Sequence, residues 1–219
     1  MKKILLLVCV CVFMVSCASE PYTVKSKMAI GDLKGTVVFP DITVMPMSLQ
    51  VLPLIDAGIY NGNLKKHDDA RNAVVSKSVV HLRKELSDRF AENFSVKAVL
   101  ADKKFDTVLF DKNDNLLPDV EQQIIKQCQD SKADYIVLLR SQILQTGVMA
   151  FGASAFYSFS VSAFIFDKTG KKLSQGAVRT ELSKINASDS DGFGMMIEMT
   201  RPKILSLFNK MIIAPPPVK

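Results

Sequence analysis

The sequence contains little glycine, little proline and no excess of charge, and these shortages exclude whole classes of protein. Among its 219 residues there are ten glycines and nine prolines, and 23% of residues are charged while 48% are hydrophobic. Disordered, collagen-like and low-complexity chains need a different balance. We therefore expect a folded chain, whose length suits one domain that buries its core without metals or disulfides.

Histidine is also scarce, which argues against a zinc site. The two histidines are His67 and His81, whereas zinc sites take three or four His, Cys or carboxylate ligands. Asp68 and Asp69 follow His67, but adjacent side chains at the start of a helix diverge. We interpret these residues as helix-capping groups, so the sequence predicts no metal site.

Catalytic motifs are incomplete or missing. Asp111, Asn113 and Asn115 have the spacing that opens a calcium-binding loop, but Leu116 stands where such a loop needs glycine. The segment Gly152–Phe156 lacks the second glycine of a nucleophile elbow, and no phosphate-binding glycine loop is found. The sequence predicts a plain turn at Asp111, no catalytic residues, no cofactor and no enzymatic activity.

Clusters of like charge are absent as well. The formal net charge is +6, but Lys and Arg occur in runs of at most two, such as Lys65–Lys66 and Lys103–Lys104. Binding to nucleic acid requires a basic stripe or stacking aromatic residues. We therefore predict no nucleic-acid partner.

The N-terminus has the pattern of a lipoprotein signal peptide. Met1–Lys3 is a short basic region, and Ile4–Val15 is an apolar run that is too short for an ordinary transmembrane helix. It leads into Met14–Cys17, which resembles the bacterial lipobox, although Leu is more usual than Met at its first position. The resemblance implies that residues 1–16 are cleaved off and that the Cys17 thiol is acylated, palmitate included. The alternative is a plain secretory peptide in which Cys17 is incidental.

Cysteine becomes scarcer once the signal peptide is removed. Cys9 and Cys11 are lost with it and acylation uses Cys17, so Cys128 alone remains. No intramolecular disulfide can form, even in an oxidising compartment. Because Cys128 falls on the apolar stripe of a predicted helix, we expect a buried and unreactive thiol.

The mature chain divides into a tether, a domain and a tail. Residues 17–34 lack a sustained period and are interpreted as a lipidated tether, residues 35–210 as the domain, and residues 211–219 as a proline-rich tail. Residues 41–67 form a long and unusually apolar loop, which either packs over the core or binds a partner. The candidate partner-binding residues in this loop are Met45, Met47, Leu49, Leu52, Leu54 and Ile55.

Periodicity and turn signals predict three helices and several strands. Apolar positions in residues 68–94 follow a helical repeat, and Pro118 is placed to start a second helix. Alternation in residues 151–165 predicts a strand, and a turn at Asp167–Gly170 leads to its hairpin partner. The predicted elements are strand 35–40, helix 68–94, strands 96–100 and 107–110, helix 118–130, strand 133–139, hairpin strands 151–165 and 173–182, and a helix from 189 or 191 to 210.

These elements describe an α/β (α+β) single domain, in which a small mixed β-sheet carries three helices in the order β-α-β-α-β-β-β-α. Its most distinctive stretches are Gly35–Pro40, Ala133–Leu139, and Ser160–Gly170 with its return at Gly176–Thr180. Behind a lipobox, this layout resembles the anticodon-binding-like domain of the curli secretion lipoprotein and the penicillin-binding-protein activator lipoproteins. The resemblance implies a role in envelope assembly or regulation through protein contacts, and no catalytic residues carry over.

The sequence therefore predicts a non-enzymatic envelope lipoprotein, anchored through Cys17 and binding another envelope protein. The resemblance favours the outer membrane, facing the periplasm, because Ala18–Ser19 lacks the aspartate that retains many lipoproteins in the inner membrane. An oligomeric secretion-channel subunit, and hence a homo-oligomer, is the alternative, because residues 151–165 are long enough to cross a bilayer as a strand. We favour a soluble hairpin because the return strand carries Gln175, Arg179 and Glu181.

Overall fold

A computed structural model of the chain describes residues 21–45, 48–49, 75, 77, 79–106, 108–148, 155–185 and 190–213. In this part of the chain, three helices and a mixed β-sheet form one α/β domain, which confirms the predicted fold class. The helices are α1 (residues 79–94, with 75 and 77 also helical), α2 (Pro118–Asp130) and α3 (Ser190–Met211). The strands are β1 (Tyr22–Ser26), β2 (Met28–Ala29), β3 (Thr36–Pro40), β4 (Thr43–Val44), β5 (Ser48–Leu49), β6 (Lys97–Ala101), β7 (Tyr135–Val148), β8 (Ala155–Asp167), β9 (Lys172–Ile185) and β10 (Ile212–Ile213).

The large sheet has the strand order β1-β9-β8-β7-β3-β6. Strands β7, β8 and β9 are antiparallel neighbours of 14, 13 and 14 residues. Along the other side of β7, the short strands β3, β4 and β5 pair with it in parallel one after another, and β6 pairs with β3. A separate parallel pair joins β10 to β2. The three long strands are thus the frame on which the remaining elements are placed.

Alternation along the strands divides the core between the two faces of the sheet. In β7, Val137 and Leu139 belong to one hydrophobic cluster, whereas Ile136 and Leu138 belong to another, as the two-residue repeat of a strand requires. Helices α1 and α3 cover the first face, here called the helix-pair face. Helix α2 covers the second, here called the single-helix face.

The helix-pair face holds the larger core. Phe90 of α1 packs against Phe39 of β3, against Phe94, and against Phe208 of α3, with ring centroids 5.3, 4.7 and 5.0 Å apart. These aromatic contacts hold α1 between the sheet and α3. The predicted apolar stripe of α1 is confirmed, since its members are all buried: Val75, Val79, Leu82, Leu86, Phe90 and Phe94.

The core of the single-helix face is smaller. Helix α2 has the predicted bounds and begins with Pro118 at its first position, where the missing N–H of proline is harmless. Its predicted stripe, Val120, Ile124 and Cys128, is buried. Phe110 covers the strand residues Phe164 and Phe166, with ring centroids 5.2 and 6.5 Å away.

The N-terminal boundary of the domain lies earlier than predicted. The sequence predicts a tether over residues 17–34, but β1 pairs with β9 and the side chains of Met28 and Leu33 are buried in the helix-pair core. Strand β1 is half-buried and exposed in alternation, so its sequence contains no apolar run that would reveal it. Residues 17–20 of the predicted tether lie outside the described residues.

The predicted tail also begins inside the fold. Met211 and Ile212 are buried, and Ile212–Ile213 pair with Met28–Ala29. The sequence gives no sign of this pairing because two-residue strands carry no periodicity. Residues 214–219 lie outside the described residues.

Three local predictions need correction. Part of the predicted loop over 41–67 is strand, because β4 and β5 pair with β7. In the predicted strand over 107–110, residue 107 is not described and Phe110 makes an isolated bridge to Leu116. The strand predicted over 133–139 is longer, because β7 continues to Val148 through a register shift between Gln145 and Gly147.

Candidate functional site

A pocket of about 400 Å³ opens at the end of the sheet where β3 and β7 begin and β8 ends. Its lining carries two ammonium groups and two carboxylates, and it comes from three distant parts of the chain. The lining residues are Lys34, Gly35, Asp134, Tyr135, Asp167, Lys168 and Thr169. The sequence does not predict this pocket, because no local pattern links residues about a hundred positions apart.

Asp134 is the centre of the pocket. Its Oδ2 accepts a hydrogen bond from the backbone N–H of Thr36 at 3.2 Å, and its Oδ1 accepts one from Lys168 Nζ at 3.1 Å. Both donors lower the pKa of Asp134 below its ordinary value of 3.8, and the backbone N–H of Thr36 has the larger effect. Asp134 therefore ties β3 to the turn after β8 as an ionised carboxylate.

Two glycines make this end of the sheet possible. Gly35 has a φ of +98°, and a Cβ there would lie 2.2 Å from Oδ2 of Asp134. Gly170 has a φ of +85°, and a Cβ there would lie 2.8 Å from Cγ of Glu121 in α2. Both positions favour glycine by backbone conformation and by space, and the second confirms the predicted turn at Asp167–Gly170.

Most of the pocket's polar side chains have hydrogen-bond partners within the protein. Tyr135 Oη donates to the backbone carbonyl of Asp32, and Thr169 Oγ1 donates to Asp167 Oδ1 at 2.6 Å. The lining contains no histidine, and the same Asp167 Oδ1 also accepts hydrogen bonds from the backbone N–H groups of Thr169 and Lys171 at 2.8 and 3.1 Å. The arrangement can hold a small charged group through ion pairs, but it has the contacts of a structural junction rather than those of an activated nucleophile.

The calcium-like spacing at Asp111 has a local explanation in the structure. The Asp111 carboxylate accepts hydrogen bonds from the backbone N–H groups of Asn115 and Asn113 at 2.9 and 2.8 Å, and the bonds from Asn115 contribute most to lowering the pKa of Asp111. This is the predicted plain turn. Within the described residues, no three His, Cys, Asp or Glu side chains are grouped so as to hold a metal ion.

The single thiol of the predicted mature chain is buried. Cys128 is 1% exposed, and burial, together with the nearby charges of Asp167 and Asp134, raises its pKa to about 11. Because the thiolate is the reactive form, this pKa suppresses nucleophilic chemistry at neutral pH. The prediction of a buried thiol is confirmed.

Few of the predicted site residues can be placed. Cys17, Met47, Leu52, Leu54 and Ile55 lie outside the described residues. Leu49 belongs to β5. In the described part of the chain, no helix combines the length and apolarity needed to cross a membrane.

Met45 is the one predicted partner-binding residue with a described side chain. It is half-buried, and its backbone N–H donates to the carbonyl of Ser141 at 2.8 Å. Its Sδ lies 2.9 Å from Nη2 of Arg140, a residue whose pKa is lowered by burial. The start of the apolar segment is therefore held against β7.

Comparisons with known proteins give distant structural likenesses. No protein-family model matches the chain, and no curated protein matches its sequence. The PelC dodecamer from Paraburkholderia phytofirmans is 11% identical, with 88% of this chain and 99% of that chain covered and a TM-score of 0.39. Protein CT253 from Chlamydia trachomatis is 18% identical, with 80% and 95% covered and a TM-score of 0.38. Lipoprotein GNA1162 from Neisseria meningitidis is 14% identical, with 78% and 99% covered and a TM-score of 0.33. At TM-scores this low, none of these likenesses assigns the chain to a family.

Proposed function

We propose that the protein is a lipoprotein of the bacterial outer membrane, which acts without enzymatic activity in envelope assembly or regulation by binding another envelope protein. One observation carries the proposal: the lipobox-like Met14–Cys17 ends five positions before Tyr22, where β1 begins. An export signal directly ahead of a folded domain is what anchoring outside the cytoplasm requires. Two or three acyl chains would hold the domain at the membrane, since each buried methylene contributes about 0.8 kcal/mol.

The proposed partner-binding surface is the apolar segment from Met45 to Ile59. Its described start is fixed to β7, with Leu49 of β5 in register with Gln145. The apolar residues Leu52, Leu54 and Ile55 follow Leu49 in the sequence. Large apolar patches on soluble domains commonly mark interaction sites.

Metabolic palmitate labelling tests the anchor. We expect label on the wild-type protein, none on Cys17→Ala, and a shift of the variant out of the membrane fraction. Cys11→Ala is the matched control, because it removes a thiol that the proposed cleavage discards and should leave labelling unchanged. Label that persists on Cys17→Ala would end the lipoprotein proposal, and separation of inner from outer membranes would locate the protein.

Photo-crosslinking in intact cells tests the partner surface. A photoreactive residue at Leu52 is expected to give one defined adduct with another envelope protein. The same residue at Lys126, an exposed position on α2, should give none. If photoreactive residues at Leu52 and at Ile55 both give no adduct, the result would count against binding through this surface.

An oligomeric secretion-channel subunit is the second candidate function. It is favoured by the length of β7, β8 and β9, each longer than the roughly 9–11 residues that cross a bilayer as a strand. Against it, the apolar face of β8 from Tyr157 to Ile165 is buried beneath α1 and α3, so that face is not free to meet lipid. A ring-sized assembly in detergent extracts would support the channel, and a monomer in the same extracts would exclude it.

A further inference from the structure

The short link between Cys17 and the folded domain limits how the domain can sit at a membrane. Cys17 stands five positions before Tyr22, the first residue of β1. Five residues span at most about 18 Å when fully extended. This limit rests on the proposed acylation of Cys17, whose acyl chains would then enter the bilayer within that distance of β1.

The pairing of β1 shows towards which end of the molecule the anchor leads. Tyr22 lies opposite Val178 in the antiparallel pair of β1 and β9, and the Pro21 carbonyl accepts a hydrogen bond from the Arg179 N–H at 2.9 Å. The chain before Tyr22 therefore leads towards the C-terminal end of β9 at Ile185. We call this the anchor end, and the pocket lies at the opposite end of the sheet.

Helix α3 starts at the anchor end and runs back along β9. Near the end of the helix, Leu207 packs closely against Gly176 of β9. A Cβ built on Gly176 would lie 2.9 Å from Cδ1 of Leu207. Met199 lies eight residues earlier, or about 12 Å along the helix. Tyr22 lies opposite Val178, which is two residues beyond Gly176 and therefore about 7 Å further along β9. The first turns of α3 thus extend beyond Tyr22 towards the anchor end. The five residues that lead from Cys17 to Tyr22 are long enough to span the same distance.

Two exposed methionines lie on these turns. Met195 is 61% exposed and Met199 is 44% exposed, and their spacing of four residues places them on one face of α3. Met196 and Ile197 beside them are buried in the core. Met195 is the most exposed of the large apolar side chains in the described chain. The anchor end of α3 therefore presents an apolar pair to its surroundings.

Lysines continue the same helical face. Lys203 follows Met199 by four residues and Lys210 follows seven residues later, so both lie close to the methionine face. Lys210 Nζ lies 4.9 Å from the ring centroid of Tyr22, which places this flank of the helix beside β1. Apolar side chains followed by ammonium groups are typical of helices that lie in the interface of an anionic bilayer.

Among the α3 side chains that the structure describes, residues 194–211, the acidic one is Glu198, and it is paired on the other flank. Glu198 forms an ion pair with Arg201, and Arg201 Nη1 also lies 2.7 Å from Glu85 Oε2 of α1. This network lies towards α1, away from the flank that Lys210 shares with β1. The charge next to the anchored strand is therefore positive.

We propose that Met195, Met199, Lys203 and Lys210, the α3 stripe, rest on an anionic lipid surface when the domain is anchored through Cys17. The methionines enter the boundary between headgroups and acyl chains, and the ammonium groups contact lipid phosphates. The pocket around Asp134 then faces away from the membrane. The reach of the anchor, the exposed methionines and the basic flank all point to the same occupant, a bilayer.

Lipid-resident quenchers test this orientation on the mature lipidated chain in vesicles of phosphatidylcholine and phosphatidylglycerol. A fluorophore on Met195→Cys is expected to lose at least about threefold more emission to nitroxide-labelled lipids than the same fluorophore on Val108→Cys, because only the α3 stripe reaches the interface. Val108 is 58% exposed and so matches Met195 in exposure. Cys128 is buried and does not take the label.

The outcomes separate this inference from the function on which it rests. Protein that fails to float with vesicles and carries no palmitate contradicts the lipid anchor itself. Protein that floats while position 195 is quenched no more than position 108 overturns the α3 stripe alone. A disulfide that links two copies of the unlabelled Met195→Cys variant, without quenching of the labelled one, also overturns it, because the occupant is then a second copy.

Charge reversal supplies the second readout. Lys203→Glu combined with Lys210→Glu is expected to lower the ratio of docked to undocked domain about tenfold or more in anionic vesicles, because each lysine near such a surface contributes a severalfold factor. Vesicles of phosphatidylcholine alone should show little change. The matched control is Lys112→Glu with Lys126→Glu, on exposed positions of the other face. Equal effects of the two pairs would overturn the proposed contact.

Discussion

The helix-pair face and the single-helix face are built from the same strands, yet apolar residues extend along them to different lengths. On the helix-pair face, buried apolar side chains continue along β8 from Ile165 back to Tyr157. On the single-helix face, Phe166 and Phe164 are buried, but Ser162 and Ser160 follow at half-buried positions. One face is therefore core along most of its length, whereas the other is core at one end and polar further along.

This difference separates stability from surface chemistry. Burial of apolar area is the main favourable term in folding, so the helix-pair face should supply most of the stability. The polar part of the single-helix face adds little apolar burial. Its register places Arg140 opposite Ser162, and Gln142 opposite Ser160. Four substitutions test this division, from the largest expected effect to the smallest.

Phe90→Ala should cause the largest loss. It removes a fully buried ring that joins Phe39, Phe94 and Phe208, so we expect the free energy of unfolding to fall by about 3–5 kcal/mol. Urea unfolding followed by far-ultraviolet circular dichroism measures it. Asn93→Ala, at an exposed position of the same helix, should change stability by no more than about 0.5 kcal/mol.

Ile124→Ala probes the smaller core. Ile124 of α2 is fully buried, and its truncation should cost about 2–5 kcal/mol, with less aromatic packing lost than at Phe90. Hydrogen exchange shows whether the faces unfold together: protection should fall in α1 and α2 alike if the shared sheet couples them. Loss of protection in α2 alone would mean that the two faces are independent units. Lys126→Ala is the exposed control.

Gly170→Ala tests the turn that packs against α2. The residue has a φ of +85°, a conformation that costs a residue with a Cβ about 1–2 kcal/mol. Gly31→Ala is the matched control, because nothing lies within 4 Å of a Cβ built there and its φ is not positive. Equal unfolding midpoints for the two variants would contradict a requirement for glycine in this turn.

Asp134→Asn should have the smallest effect and a dependence on pH. The lowered pKa of Asp134 means that its contribution is present above the ordinary value of 3.8 and is lost as the pH falls through the folded-state pKa. Because the carboxylate is 41% exposed, we expect a loss of only about 0.5–1 kcal/mol at neutral pH. The two proteins should converge in acid unfolding measurements. Asp106→Asn, at an exposed position, is the matched control and should change stability at neutral pH by no more than about 0.5 kcal/mol.

Elements with strong local signals could be predicted from the sequence. Pro118 and the four-residue repeat through Val120, Ile124 and Cys128 indicated the bounds of α2, and the alternation before Ile165 indicated β8. Strand β1 could not be found in this way, because its five residues alternate weakly and its partner β9 is about 150 positions away. Strands β4, β5 and β10 are two residues long, too short for any period to show.

The functional features also fall into those that the sequence reveals and those that it does not. The lipobox-like Met14–Cys17 is a contiguous pattern, so the anchor could be proposed without coordinates. Composition alone could not reveal the pocket around Asp134 or the exposure of Met195 and Met199. A helix that is apolar on several sides does not show which of its methionines the sheet will cover.

The sequence by itself determined the fold class, the bounds of α2, the turn at Asp167–Gly170 and the buried state of Cys128, because each depends on local periodicity or on a residue with a restricted backbone. Only the tertiary structure decided where the domain begins, how the core is shared between two faces, and which end of the molecule Cys17 approaches. These features depend on pairings between distant segments, such as β1 with β9. Chain geometry and side-chain packing select such pairings only when the whole sheet is assembled.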